Sequence, residues 1–275
     1  MPTATRRRPA ASLGLHALLI TASVIAVLPV AWVLITSVKG GDPFTVAVVQ
    51  QFTLGHYRDV LAGDFPRWFA NSLVVAGGTT VVGVLLAATA GYAVSRFRFP
   101  GHRPLMWMFL VTQMFPMAIL IAPIYTILVR LGLIDTLPAL VLANCTISVP
   151  FCAWMLKGYF DTVPVEIDEA GRMDGLTPFG TFWRLVLPLA RPGLAVTAFY
   201  SFLTAWGEVA YASRFVTSQQ RYTLAVGMQS YVGQFTTQWG LLTAASVLVM
   251  VPAVAMFYLV QRFLVGGLTA GGTKG

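Results

Sequence analysis

The fold class this sequence predicts is an all-α polytopic membrane protein with six transmembrane helices, and three observations carry the prediction. Apolar residues make up 57% of the 275 and charged residues 10%, against about 25% charged in an ordinary soluble domain. Mean hydropathy is +0.74. Six stretches, at about 13–38, 69–94, 105–129, 137–157, 193–213 and 240–263, are each long enough to cross a bilayer, which takes about 20 apolar residues. Residues 1–275 read as a single transmembrane domain with its core over about 69–263.

Arg6, Arg7 and Arg8 precede the first stretch. The uncharged run from Pro9 to Val38 is about twice the length of a signal-peptide core and lacks a clear small-residue cleavage site, so it reads as a retained span. The second span carries Thr79, Gly83, Ala87 and Gly91 at every fourth position, a stripe that lets another helix approach closely, read as packing within the subunit with a dimerisation seam as the alternative. Pro116, Pro123, Pro150 and Pro252 interrupt other spans, as tolerated where a helix borders other helices or a cavity. An even number of spans puts both termini on one side. With the N-terminus inside, twelve basic residues face the cytoplasm (Arg6, Arg7, Arg8, Arg96, Arg98, Arg103, Lys157, Arg172, Arg184, Arg191, Arg262, Lys274) and six face outward. That asymmetry predicts cytoplasmic termini.

Composition excludes several functions. The net charge of +8 is scattered among hydrophobic segments and reads as topology rather than nucleic-acid binding. His16, His56 and His102 are far apart and suggest no metal site. Cys145 and Cys152 lie about 10 Å apart on a helix, too far for a disulfide. No catalytic constellation is present, and charge inside the spans is nearly absent, Glu208 alone coming close to membrane depth. A stand-alone ion-coupled carrier needs buried ionisable relays. Lys39, Lys157 and Lys274 are the only lysines, and none sits in a phosphate-binding loop. The chain reads as a conduit powered from elsewhere, binding no cofactor itself.

Residues 161–192 break the apolar pattern. Five of the ten acids fall here: Asp161, Glu166, Asp168, Glu169 and Asp174. The spacing predicts two short helices. Asp161 or Thr162 caps the first, with Pro164 in its opening turn, and Gly175 ends it. Thr177 caps the second, with Pro178 at its first position. Phe179, Phe182, Trp183 and Val186 recur at i, i+3, i+4, i+7 and predict one apolar face. Membrane-surface helices are usually basic, so a protein partner suits these acids better. A lipid-surface helix pair or a plain loop stays open on this reasoning.

The spacing of Glu169, Ala170 and Gly171, then Gly175, then Leu185, Leu187 and Pro188 resembles the cytoplasmic Glu-Ala-Ala motif of binding-protein-dependent ABC importer permeases. Gly171 stands for the motif's second Ala and Leu185 for its Ile. "FTLGHYRDVL", "GLIDTLPALVL", "YTLAVGMQSY" and "FLVGGLTAGGTKG" extend the resemblance over almost the whole chain, to the sugar importers and their maltose/maltodextrin (MalG-like) branch. "AWGEVAYA" departs from it, with Gly207 where the sugar permeases often carry Asn.

The resemblance implies a type I ABC importer permease fold, with a coupling helix between spans four and five. Glu169, Ala170, Gly171, Asp174 and Gly175 would dock in a cleft of a cytoplasmic ATPase, and Leu185, Leu187 and Pro188 complete the segment. ATP and magnesium are used by that MalK-like ATPase dimer. A second, MalF-like permease and an extracytoplasmic sugar-binding protein complete the partners, in a bacterial inner membrane. Replacing Gly175 by Trp is expected to spoil docking. Residues 214–238, with Gln219, Gln220, Tyr222, Gln229, Tyr231, Gln234 and Gln238, would reach the binding protein. The tail, with Gly266, Gly267, Gly271, Gly272 and Gly275, is expected to be extended between the ATPase subunits. Gln113, Tyr125, Asn144, Ser148 and Trp206 are the candidate sugar contacts. The implied substrate is maltose or maltodextrin, with trehalose or another oligosaccharide as the alternative.

Overall fold

The computed structural model describes residues 9–40, 52–233 and 237–270. Arg6, Arg7, Arg8, Gln234, Gly271, Gly272, Lys274 and Gly275, singled out above, lie outside them. The described residues are mostly helical, with two isolated antiparallel bridges, Lys39 to Phe52 and Val232 to Thr237. They divide into two compact units, one from residues 1–63 and 231–248, the other from 64–230 and 249–275.

The first unit holds α1 (Pro9–Ser37) and α2 (Gly55–Ala62). Polar contacts tie part of it together. The Ser37 and Tyr57 hydroxyls share a hydrogen bond of 2.7 Å, and the His56 ring bonds the Lys39 carbonyl. Gly240 leaves room for the same ring, since a Cβ there would stand 2.5 Å from it.

In the second unit α3 (Phe65–Arg96) and α6 (Leu137–Thr162) form the main pair, with α10 (Arg191–Trp206) across both. The small-residue stripe explains why. A Cβ on Gly83 would meet Ser148 Oγ at 3.2 Å, and one on Gly91 would meet the Ala153 carbonyl at 2.9 Å. The stripe is therefore spent on packing within the chain, and Thr79 and Ala87 are buried with it.

Between α3 and α6 lie α4 (His102–Thr112) and α5 (Met117–Arg130), bent by 110° where one span was expected over 105–129. The break falls at Gln113–Pro116, where proline removes a backbone donor and turns the residue before it away from helix. After α6 come α7 (Glu166–Met173), α8 (Pro178–Thr181), a π turn over Phe182–Val186, and α9 (Leu187–Leu189), which meets α10 at 84°. The fifth span is correspondingly shorter than 193–213, because Gly207 terminates α10. Then follow α11 (Ala212–Phe215), α12 (Leu224–Gly227) and α13 (Trp239–Ala270). Among the described residues, four helices are long and apolar enough to cross a membrane, or up to six if each bent pair counts as one. Because α13 continues to Ala270, Gly266 and Gly267 are helical rather than extended.

Candidate functional site

The segment from α7 to α9 forms where its local chemistry directs. Glu166, Asp168 and Glu169 occupy the first turn of α7 and suit its positive end. Asp161 and Thr162 do not cap it; both belong to the last turn of α6, where Asp161 takes Lys157 (2.5 Å) and Ser95 (2.7 Å). Gly175 ends α7 with φ +77°, a left-handed conformation in which glycine avoids the Cβ penalty. The Leu176 amide then donates to the Gly171 carbonyl at 2.9 Å. Thr177 caps α8 as expected, its hydroxyl accepting the Gly180 amide at 3.1 Å.

The expected single aromatic face is divided. Its spacing assumes 3.6 residues per turn, whereas the π turn at Phe182–Val186 adds a residue to the repeat. Phe182 and Val186 point inward, packed with Tyr92, Phe160 and Leu156. Phe179 and Trp183 face outward, 65% and 49% exposed, their rings stacked.

One of the acids is structural. Asp168 is 3% exposed. Its carboxylate accepts Arg96 Nε at 2.7 Å and the Tyr92 hydroxyl at 2.5 Å, and Arg96 donates a further bond to the Val163 carbonyl at 2.8 Å. Taking both charges from water is costly, and the surrounding hydrogen bonds offset that cost. The pair fixes α7 on the end of α3. Sequence reasoning missed Tyr92 and Arg96, since nothing in a linear pattern links them to an acid 76 and 72 residues away.

Gly171 belongs to the same internal contact. A Cβ there would stand 2.7 Å from Thr181 Oγ1 and 2.8 Å from its Cγ2. Glycine in place of the motif's alanine thus seats α7 against α8 rather than loosening it. Glu169, Ala170, Asp174, Gly175 and Pro188 are exposed, while Leu185 and Leu187 are half-buried. Together with Met173, 89% exposed, and the Phe179–Trp183 stack, these form an outward surface on an anchored frame.

Of the candidate pathway residues, Gln113 is brought to α6 beside Ser148, while Tyr125 and Trp206 make contacts with other residues. Asn144 and Ser148 are buried on α6; the Asn144 amide donates to the Leu140 carbonyl, while its Oδ1 and Ser148 Oγ have no hydrogen-bond partner among the described residues. Trp206 is 7% exposed, stacked on Phe202, and donates to the Val249 carbonyl. Gln113 is exposed at the α4–α5 break and donates to the Ile147 carbonyl; Tyr125 is exposed near the Phe215 ring.

At the other end of α3 a second polar hub organises part of the 214–238 stretch. Asp135, with φ +59°, accepts the amides of Thr217 and Ser218 at 3.0 Å each, the Ser218 hydroxyl, and Arg221 at 3.2 Å. The Ser218 bonds, then those from Thr217 and Arg221, hold its carboxyl well below the ordinary range, at about 2. Asn71 donates to the carbonyls of Gln220 and Tyr222, and Ser72 accepts the Leu224 amide. Glu208 is buried and accepts the amides of Tyr211 and Ala212 ahead of α11.

Residues 79–269 match the family described as the binding-protein-dependent transport system inner membrane component. Over 99% of this chain and the full length of the other, the sequence is 37% identical to the inner membrane ABC transporter permease protein YcjP of Escherichia coli (strain K12). It is 36% identical to the maltodextrin transport system permease protein MdxG of Bacillus subtilis (strain 168), covering 82% of this chain and 81% of that one. In fold it is similar to a chain of a bacterial ABC transporter involved in import of the acidic polysaccharide alginate, with a TM-score of 0.81 at 20% identity, covering 95% of this chain and 99% of that one. The all-α architecture is that of a type I ABC importer permease.

Proposed function

The chain belongs to the binding-protein-dependent inner-membrane-component family and is a multi-pass permease subunit of a sugar ABC importer; from that premise we propose that its substrate is maltose or a maltodextrin and that α7–α9 couple it to an ATPase. The observation that carries the coupling role is the division of labour within the segment. Asp168, Gly171, Phe182 and Val186 are turned inward, and Glu169, Ala170, Asp174 and Gly175 are left free to meet a partner.

In this reading a MalK-like ATPase dimer binds ATP and magnesium, closes, and carries the docked segment with it. Because Asp168 is tied to Arg96, the displacement reaches α3 and opens the pathway towards a sugar-loaded binding protein. A MalF-like permease supplies the other half of the pathway, and the termini lie in the cytoplasm. The resemblance of the chain to maltodextrin permeases supports the substrate.

The test is ATPase activity in liposomes holding this chain with its co-encoded permease, ATPase and binding protein, with maltose, maltotriose, trehalose or no sugar. Stimulation by maltose and maltotriose alone is the expected result. Stimulation by trehalose alone overturns the substrate and keeps the coupling. For docking, Glu169→Lys and Asp174→Lys are cleaner probes than Gly175→Trp, which would also strain a left-handed backbone. If basic groups on the ATPase meet these acids, as the proposed docking supposes, both are expected to lower sugar-stimulated hydrolysis by about tenfold or more while membrane insertion is unchanged, since like-charge juxtaposition costs several kcal/mol. Unaltered stimulation in both would remove the proposed contact.

A further inference from the structure

The turn between α3 and α4 builds a basic cleft that the coupling role does not use. A cavity of about 700 Å³ is lined by Ser95, Arg98, His102, Arg103 and Lys157, with Phe99 at its wall. Gly101, at φ +93°, swings the chain into α4, and His102 Nε2 donates to the Val94 carbonyl at 2.7 Å, holding the start of α4 near the end of α3. Next to it lies an apolar groove of about 670 Å³ between α4 and α6, lined by Met106, Trp154, Met155, Gly158 and Tyr159. Lys157 lines both.

We propose that the cleft and groove together bind one anionic phospholipid, its phosphate among Arg98, Arg103 and Lys157 and an acyl chain along Met106, Trp154 and Gly158. Charge complementarity selects this occupant. Lys157 is held by Asp161, the one carboxylate lining the groove, and both Asp161 oxygens are engaged, by Lys157 and Ser95. Arg98 and Arg103 are exposed and have no ion-pair partner among the described residues. Two unmatched guanidiniums beside an apolar trough suit a phosphate that carries a hydrocarbon tail. A soluble anion would leave the trough bare, and a zwitterionic headgroup would leave the charge unmatched. Basic pockets between transmembrane helices are suited to anionic headgroups. The setting is interfacial, with Trp107 67% and Trp154 46% exposed, as aromatic residues at the headgroup level are.

The experiment is native mass spectrometry of the full chain in a mild detergent, titrated with phosphatidylglycerol or with phosphatidylcholine of the same acyl chains. The wild-type chain is expected to retain one phosphatidylglycerol at least tenfold more tightly than phosphatidylcholine. Arg98→Ala/Arg103→Ala should weaken that binding by roughly thirtyfold, at about 1 kcal/mol per basic residue. Arg130→Ala/Arg214→Ala, the charge-matched control away from the cleft, should not. Gly158→Trp should displace the lipid without touching a charge, because a Cβ at Gly158 meets nothing within 4 Å. Equal retention of the two lipids, or undiminished retention in the double variant, overturns the proposal. Full competition by glycerol phosphate at lipid-like concentrations also overturns it, assigning the cleft to a soluble anion.

Discussion

The two ends of α3 are fastened by different chemistry. Ser72 and Tyr92 are twenty residues apart, roughly 30 Å along the helix, the thickness of a hydrocarbon core. At the Tyr92 end a buried side-chain pair, Arg96 and Asp168, holds one neighbouring helix. At the Ser72 end the loop is held through its backbone, with Asn71, Ser72 and Asp135 bonding main-chain groups of residues 217–224. A buried ion pair fails sharply when one member is lost, because a charge is stranded in low dielectric. A set of backbone caps loses its contributions one at a time, each worth about 1 kcal/mol. The first arrangement suits a joint that must move as a unit, and the second suits a platform.

Three sets of substitutions test that contrast, in falling order of effect. Arg96→Met or Asp168→Leu alone should each destabilise the chain by about 3–5 kcal/mol, and the double variant should recover a large part of that loss. Thermal unfolding of the two singles and the double in detergent decides it; additive losses would mean that the pair is not the unit. Gly171→Ala forces a Cβ against Thr181 and should cost about 1–3 kcal/mol. Adding Thr181→Ala, which removes the two atoms nearest the new Cβ and leaves Leu185 Cδ1 at 3.1 Å, should restore most of it, read from the same melts. Asp135→Asn keeps a residue type that tolerates positive φ and removes the charge. The loss should be smallest here, about 1 kcal/mol, and its pH dependence carries the sign. The folded carboxyl sits at about 2 against an ordinary 3.8, so its stabilisation is fully present above about pH 4 and is lost as pH falls through 2. Wild-type and variant melting curves should therefore converge between pH 4 and pH 2; a constant gap would show that the charge contributes nothing.

Much of the α7–α9 segment was legible because its cues are local. Thr177, Pro178 and Gly175 act on backbone groups within a few residues, and the motif spacing depends on no distant partner. Asp168 and Glu169 show where legibility stops. They are adjacent and chemically alike, yet one is buried and the other exposed, a choice made by Arg96 on another helix. The divided aromatic face failed for a different reason, since helical periodicity presumes a constant repeat and the π turn changes it at Phe182. The third span read as continuous because its composition stays apolar through the bend, and hydropathy does not register direction. Asp135 stood in a stretch quoted for its resemblance, but its role depends on amides 82 and 83 residues away.

Among the long spans α3 is unusual in having no proline beyond its first turn, whereas α1, α6 and α13 carry Pro29, Pro150 and Pro252 internally. An uninterrupted hydrogen-bond ladder resists bending, and kinks concentrate where that ladder is broken. The helix with a fastening at each end is thus the stiff one, built like a connecting rod. In the proposed coupling, such a rod would carry a push at Arg96 toward Ser72 rather than absorb it in a bend.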